Sequence, residues 1–140
     1  MEGTEFLLLL IGSLEGTIEG EARLQKLTFL ATAEYKIQLP FEFARSSYGP
    51  YSGEIQYSLK EMESAGLLKE EAEEYISIFT LTEEGKREFN KIKRKFPSEN
   101  ERINNLIERF GRKRIHDILS YIYGRYMKPR EEDVIAHDVS

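Results

Sequence analysis

The sequence predicts a mainly helical domain with a small β-hairpin, an α+β fold of the winged helix-turn-helix type carrying a C-terminal helical extension. Three observations lead there. Residues 66–89 hold two short β-type runs, Leu67-Leu68-Lys69 and Tyr75-Ile76-Ser77-Ile78-Phe79, around an acidic tip. An amphipathic stretch ending at Gly66 precedes them, and Leu81-Thr82-Glu83-Glu84-Gly85 opens a new helix, giving the order helix, two-stranded wing, helix. The 140 residues, 40% apolar with eight Tyr and eight Phe, supply the core of one domain.

Thr4 is placed to cap a first helix reaching about residue 14, and apolar residues on every side of it predict burial all round. The run 6–11 is far shorter than the roughly 20 residues of a membrane span, and Glu2 and Glu5 stand where a signal peptide carries cations. A buried helix is expected, and no membrane partner. Gly16 and Gly20 interrupt the chain before a second helix over 21–35, with Leu24, Leu27, Ala31 and Tyr35 on one stripe and Arg23 and Lys26 on its outer side.

Residues 39–45, Leu-Pro-Phe-Glu-Phe-Ala-Arg, alternate like a short edge strand. Gly49-Pro50 between Tyr48 and Tyr51 is a turn of restricted freedom, because Pro fixes its own φ and keeps Gly49 out of the α region. Ser52 is positioned to cap a third helix through about residue 65. Ile55, Leu59 and Met62 face inward, Leu59 meets Leu27 of the second helix, and Gly66 provides a left-handed stop.

After the hairpin, Thr82 caps a fourth helix whose inner side is Phe89, Ile92 and Phe96 and which Pro97 ends. Ser98-Glu99-Asn100-Glu101 has the form of a capping box ahead of Ile103, Leu106, Ile107 and Phe110. Gly111 ends that helix. A last one over 112–127 carries Ile115, Ile118, Leu119, Ile122, Tyr123 and Tyr126 inward, and Lys128-Pro129 closes it. The chain thus divides into a core, 1–97, a helical extension of the same domain, 98–128, and an acidic tail, 129–140.

Without cysteine there is no disulfide, thiolate metal site or cysteine nucleophile, which favours a cytoplasmic setting. Other chemistry is thinly represented. His116 and Asp117 are sequence neighbours and point apart on a helix, with no serine motif beside them. His137 lacks a second His at helical spacing, and Glu70, Glu71, Glu73 and Glu74 lack the spacing of a calcium loop. No enzyme activity, metal or cofactor is expected.

The net charge of −5 conceals a division: six Lys/Arg against 16 Asp/Glu in 1–85, 14 against five in 86–130, none against four in 131–140. Such asymmetry marks either a basic face for an acidic partner or two halves that pair with each other and with solvent.

Three patterns in order, Leu24-Gln25-Lys26-Leu27-Thr28-Phe29-Leu30, Tyr48-Gly49-Pro50-Tyr51-Ser52 and Gly66-Leu67-Leu68, resemble an uncharacterised prokaryotic winged-helix family of the YwgA type. More distantly they are similar to the Panacea-domain antitoxins. Tyr121-Ile122-Tyr123-Gly124-Arg125-Tyr126 looks like the C-terminal helix of the former, so the likeness covers about residues 20–127. The resemblance implies a winged helix and a setting in regulation, toxin–antitoxin pairs or defence. It brings no catalytic residue. The Trp that the Panacea pattern often has before Gly-Pro is missing, and residues 36–51 stand where a helix-turn-helix has a turn of about 3 or 4 residues.

Winged-helix architecture points to a DNA-binding transcriptional regulator. Arg45, Ser47, Tyr48, Ser52, Gln56, Tyr57 and Lys60 include the residue types that reach phosphates and base edges, whereas Glu54, Glu61, Glu63 and the glutamates of the wing oppose them. A second basic face is offered by Lys86, Arg87, Lys91, Arg94, Arg112, Lys113 and Arg114. The alternative is a protein-interaction module of a toxin–antitoxin or defence system, anchored by Tyr48 and Tyr51 on their stiff turn. The stripes on the last two helices exceed what a small winged core covers, which predicts a homodimer through these helices unless they close the core within one chain.

Overall fold

Six consecutive apolar side chains, Phe6 to Ile11, stay out of water only if partners surround the helix they form. The computed structural model describes residues 1–128, and in it α1 (Gly3–Ser13) has all six buried. Around it pack α3 (Gly53–Ser64), α4 (Glu83–Lys95), α5 (Pro97–Phe110), and the strands β1 (Thr17–Glu19) and β5 (Ile76–Leu81). With α2 (Glu21–Ala33), the hairpin β2 (Ala44–Ser46) and β3 (Gly49–Tyr51), β4 (Leu68–Glu73) and α6 (Ile115–Arg125), the described residues form a mixed α+β fold of helices and two small antiparallel sheets. No helix among them is long and apolar enough to cross a membrane.

The expected hairpin is present, with Leu68 opposite Leu81 and Glu73 opposite Ile76. Glu70, Glu71 and Glu73 lie within its first strand, so the turn itself is only Glu74-Tyr75. β5 is flanked on its other side by β1, giving the order β1-β5-β4. Strand β1 escapes a sequence reading because three residues between two glycines are too short to show a period of two; Thr17 pairs with Thr80, their hydroxyls 3.1 Å apart.

Several boundaries differ from expectation. The first helix is capped two residues earlier than Thr4, at Glu2, whose amide donates to Glu5 Oε1 at 2.8 Å. Residues 39–43 are not a strand. Phe41 is buried in the core and Phe43 meets Phe29 edge-on at 5.4 Å, so these rings satisfy packing and the ladder begins only at Ala44. Gly49-Pro50 belongs to strand β3 and not to the turn, which is Ser47-Tyr48. Gly49 is required there twice: its φ is +104°, and a Cβ would stand 2.5 Å from Leu119 Cδ1 of α6. Ser98 lies inside α5, which starts directly at Pro97 with Phe96 at the cap, so the expected capping box does not form.

Helix α3 turns Ile55, Leu59 and Met62 into the core as expected, and Gly66 takes the left-handed conformation after it. Its principal helix neighbour is α1, however, and not α2 through Leu27. Hairpin β2–β3 is packed on α2 and holds that space. The same cover corrects Lys26, expected on the wet side of α2: it is 3% exposed.

Helices α5 and α6 belong to the same core as the rest. Ile103, Leu106, Phe110, Ile118 and Ile122 are buried, α5 against α1 and α2, and α6 against α2 and β3. The apolar need that motivated a homodimer is met within one chain. Arginines pin the antiparallel pair α2/α5 at both ends: Arg23 donates to the carbonyls of Gly111 and Lys113 at 3.1 and 2.7 Å, and Arg102 to those of Tyr35 and Lys36 at 3.2 and 3.0 Å. These carbonyls lie at helix ends, where no intrahelical donor remains. The acidic tail 129–140, with His137, lies outside the described residues.

Candidate interaction face

The exposed side of α3 carries Gln56, Tyr57 and Lys60, interleaved with Glu54, Glu61 and Glu63. Beside its start stands the β2–β3 turn with Ser47 exposed and Tyr48 64% exposed, while Tyr57 is 68% exposed. These residues were expected together and the fold does bring them to neighbouring elements. Ser52 is the exception. It is 1% exposed, and its backbone is clamped by Gln25, whose Oε1 accepts from the Ser52 amide and whose Nε2 donates to the Ser52 carbonyl, both at 2.9 Å. Its hydroxyl turns to Glu54 Oε1 at 3.2 Å instead of capping the helix.

Other polar members of the set are already engaged. Gln56 donates to Glu21 Oε1 at 2.7 Å, and Glu54 Oε1 also accepts from the Glu42 amide at 2.7 Å. Arg45, expected beside the start of α3, reaches the other way: it donates to the Lys128 carbonyl and lies over the Tyr123 ring at 5.7 Å. Lys60 is the exposed cation of α3, which also carries Glu54, Glu61 and Glu63, and the adjoining β4 carries Glu70, Glu71 and Glu73 together with Lys69, paired with Glu71 at 3.7 Å. The face is aromatic and acidic.

On α4 the charges are arranged differently. Lys86, Arg87 and Lys91 each pair with a glutamate one turn earlier, Glu83, Glu84 and Glu88, and Arg114 pairs with Asp117. Lys113 is exposed, and Arg112 lines a cleft of about 330 Å³ between the α1–β1 turn and the end of α5. Arg94 is exposed on α4. Pairs between the acidic and basic halves also occur, Lys95 with Glu5 at 3.4 Å and Arg109 and Arg125 with Glu34 at 3.7 and 3.3 Å. The asymmetry along the chain is thus partly consumed inside the fold.

Two features have no counterpart in the sequence reading. Glu34, just past α2, accepts from the hydroxyls of Tyr126 and of Tyr121, the latter at 2.8 Å, which with Arg125 and Arg109 nearby hold its carboxyl below the ordinary range. Arg109 in turn lies over the Phe110 and Tyr121 rings at 4.8 and 4.9 Å. This cluster ties α2, α5 and α6 together. The second feature is Lys26, which burial pushes down to about 8. It lines a cleft of about 200 Å³ between the first turns of α2 and the β2–β3 hairpin, whose other walls include Tyr48, Pro50 and Tyr51. Lys26 does not announce itself by spacing: with Arg23 three residues before it, it looks like part of an ordinary wet helix side.

No protein-family model, no curated protein and no solved structure matches this chain.

Proposed function

We propose that the chain is a winged-helix domain of the cytoplasm whose third helix and adjoining β2–β3 turn bind a protein partner and do not read DNA. The observation that carries this reading is the composition of that face. Tyr48, Tyr51 and Tyr57 are exposed on it, and of its expected DNA contacts Ser52 is buried, Gln56 is held by Glu21 and Arg45 is turned to α6. Exposed tyrosines are efficient protein anchors, because they bury much area for little loss of side-chain freedom. Phosphates, by contrast, need cations that displace counterions, and here the exposed Lys60 shares its helix with exposed Glu54, Glu61 and Glu63. A role within a toxin–antitoxin or defence pair rests on the resemblance to the YwgA and Panacea families.

DNA binding is the second reading, supported by one observation: with the β2–β3 hairpin set aside as an insertion between α2 and α3, the order α1, β1, α2, α3, β4, β5 and the sheet order β1-β5-β4 follow the winged-helix pattern. A retardation experiment with pooled duplex DNA separates the two. The protein reading expects no complex at low salt; a complex that weakens steeply with salt and is lost in Lys60→Glu would replace it with the regulator reading. In parallel, a photo-crosslinking residue at position 57 should give a discrete protein adduct that Tyr48→Asp abolishes, whereas the same probe at position 91 should not.

A further inference from the structure

The buried polar and charged side chains among the described residues are Gln25, Lys26, Thr28, Ser52 and Ser58, and of these Lys26 is the one that carries charge. An ammonium in such a place ordinarily comes with an anion, since a buried charge without one is expensive. Lys26 has neither hydrogen-bond acceptor nor ion-pair partner among the described residues, yet it forms part of the wall of an open cleft. We propose that this cleft, between the first turns of α2 and the β2–β3 hairpin, binds a single carboxylate group, which Lys26 receives as its ion-pair partner.

The remaining walls define the ligand by elimination. Gln25 spends both ends of its amide on Ser52, and the Ser46 hydroxyl donates to the Gly49 carbonyl at 2.7 Å while accepting from the Tyr48 amide at 3.2 Å. Lys26 is therefore the cationic donor left for a guest, with the Tyr48 and Tyr51 hydroxyls as neutral donors at the rim. At about 200 Å³ the cleft admits a small group and not an extended cofactor. Glu21 lines it too, with its carboxylate tied to Gln56. With one cation beside one resident anion, a second negative charge on the guest would find no partner and would lie near the Glu21 carboxylate, so a guest of single charge fits better than a phosphate dianion. The Tyr48 and Tyr51 rings, 64% and 38% exposed, frame the site and give the carbon skeleton of the guest an apolar surface to lie on. Burial holds Lys26 near 8, so at neutral pH most molecules present the ammonium form that a carboxylate needs.

The carboxylate has two sources: a free small acid, or an acidic side chain of a partner protein. The first stands independently of the protein-partner reading above, and the second rests on it. The test is carbon-13 NMR of the chain labelled at lysine Cε, titrated with acetate, with benzoate, with inorganic phosphate, and with a short capped peptide holding one Glu or, as control, one Gln. A saturable shift of the Lys26 signal with at least one carboxylate, a rise of its titration midpoint, and phosphate at least about tenfold weaker at equal ionic strength are expected. Lys26→Met should abolish the response to carboxylate seen in the neighbouring backbone amides. Tyr48→Ala, which leaves the core untouched, should weaken benzoate more than acetate. Preference for the Glu peptide over acetate identifies a partner side chain as the source, and preference for free acids identifies a small molecule even if no protein partner exists. Absence of any saturable carboxylate response, equal binding of phosphate, or an undiminished response in Lys26→Met would overturn the proposal.

Discussion

Lys26 and Gly49 show how much a single position can depend on what is folded over it. Burial pushes Lys26 down to about 8 from 10.5 for a free lysine, so the fold holds its charged form at a cost. The unfolded chain binds more protons between these values, and stability must rise with pH across that window. Below about pH 8 the full penalty is present, on the order of 3 kcal/mol. Lys26→Met is therefore expected to raise stability by that order at pH 7, with the gain shrinking between pH 8 and 10.5; urea melts of both proteins across this range check it. A gain independent of pH would mean that the ammonium is not buried in solution. Gly49→Ala acts in the opposite direction. With φ at +104° and Leu119 Cδ1 at 2.5 Å from the new methyl, it should cost about 2 to 4 kcal/mol and be read as a lowered melting temperature.

At the scale of elements, the placement of α2 decides most of the architecture. Its two ends are held by arginines from and toward α5, and its C-terminal edge by Glu34 with Tyr121 and Tyr126 of the last helix. Hydrogen bonds from the Tyr126 and Tyr121 hydroxyls, with Arg125 and Arg109 close by, lower the Glu34 carboxyl, so its contribution is fully present above about pH 4.5 and is lost as pH falls through the depressed folded value. Glu34→Gln keeps the shape and removes the charge. It should destabilise by about 1 kcal/mol at pH 7, discounted for solvent, and flatten the acid limb of the stability profile below 4.5. Equal slopes in acid for the two proteins would assign the cluster no linkage role. The helix–hairpin–helix order around Gly66 and Thr82 was readable because each boundary has local chemistry: a left-handed glycine, alternating strands, and a threonine whose Oγ1 accepts from the Gly85 amide at 3.0 Å. The capping boundaries at Thr4 and Ser98 were not: at the first, Glu2 and Glu5 form the cap ahead of Thr4, and at the second α5 starts at Pro97 behind Phe96 with no side-chain cap.

For the whole molecule, the question is whether residues 98–128 are an appendage or a part of the core. Ile103, Leu106, Phe110, Ile118 and Ile122 are each 1% exposed or less, and they cover α1 and α2. Each such side chain left in water forfeits about 1.5 to 3 kcal/mol, in sum comparable to the whole marginal stability of a domain. Truncation after residue 97 is accordingly expected to abolish cooperative unfolding and to expose dye-binding apolar surface; a truncated chain that melts cooperatively would restore the reading of an independent core. Sedimentation of the full chain at micromolar concentration should give the monomer mass of 16.3 kDa. A dimer would have to use surfaces other than the two buried stripes, and the exposed Tyr48, Tyr57 and Tyr75 would be the first to examine.

By itself, the sequence determined what depends on neighbours along the chain. That comprises the helical character of its amphipathic stretches, the hairpin after Gly66, the inward sets Ile55/Leu59/Met62 and Ile118/Leu119/Ile122, and the lack of cysteine chemistry. Periodicity and caps are local, and local rules suffice for them. Tertiary structure alone decided which surface lay over which. Strand β1 exists because β5 offered it an edge, Ser52 and Lys26 left the surface because hairpin β2–β3 folded onto α2, and Arg45 left the third helix for α6. The candidate site changed character for that reason: a set of residues chosen by type as DNA contacts became an aromatic, acidic face beside a buried lysine, and burial is a property of contacts between distant segments that no spacing along the chain encodes.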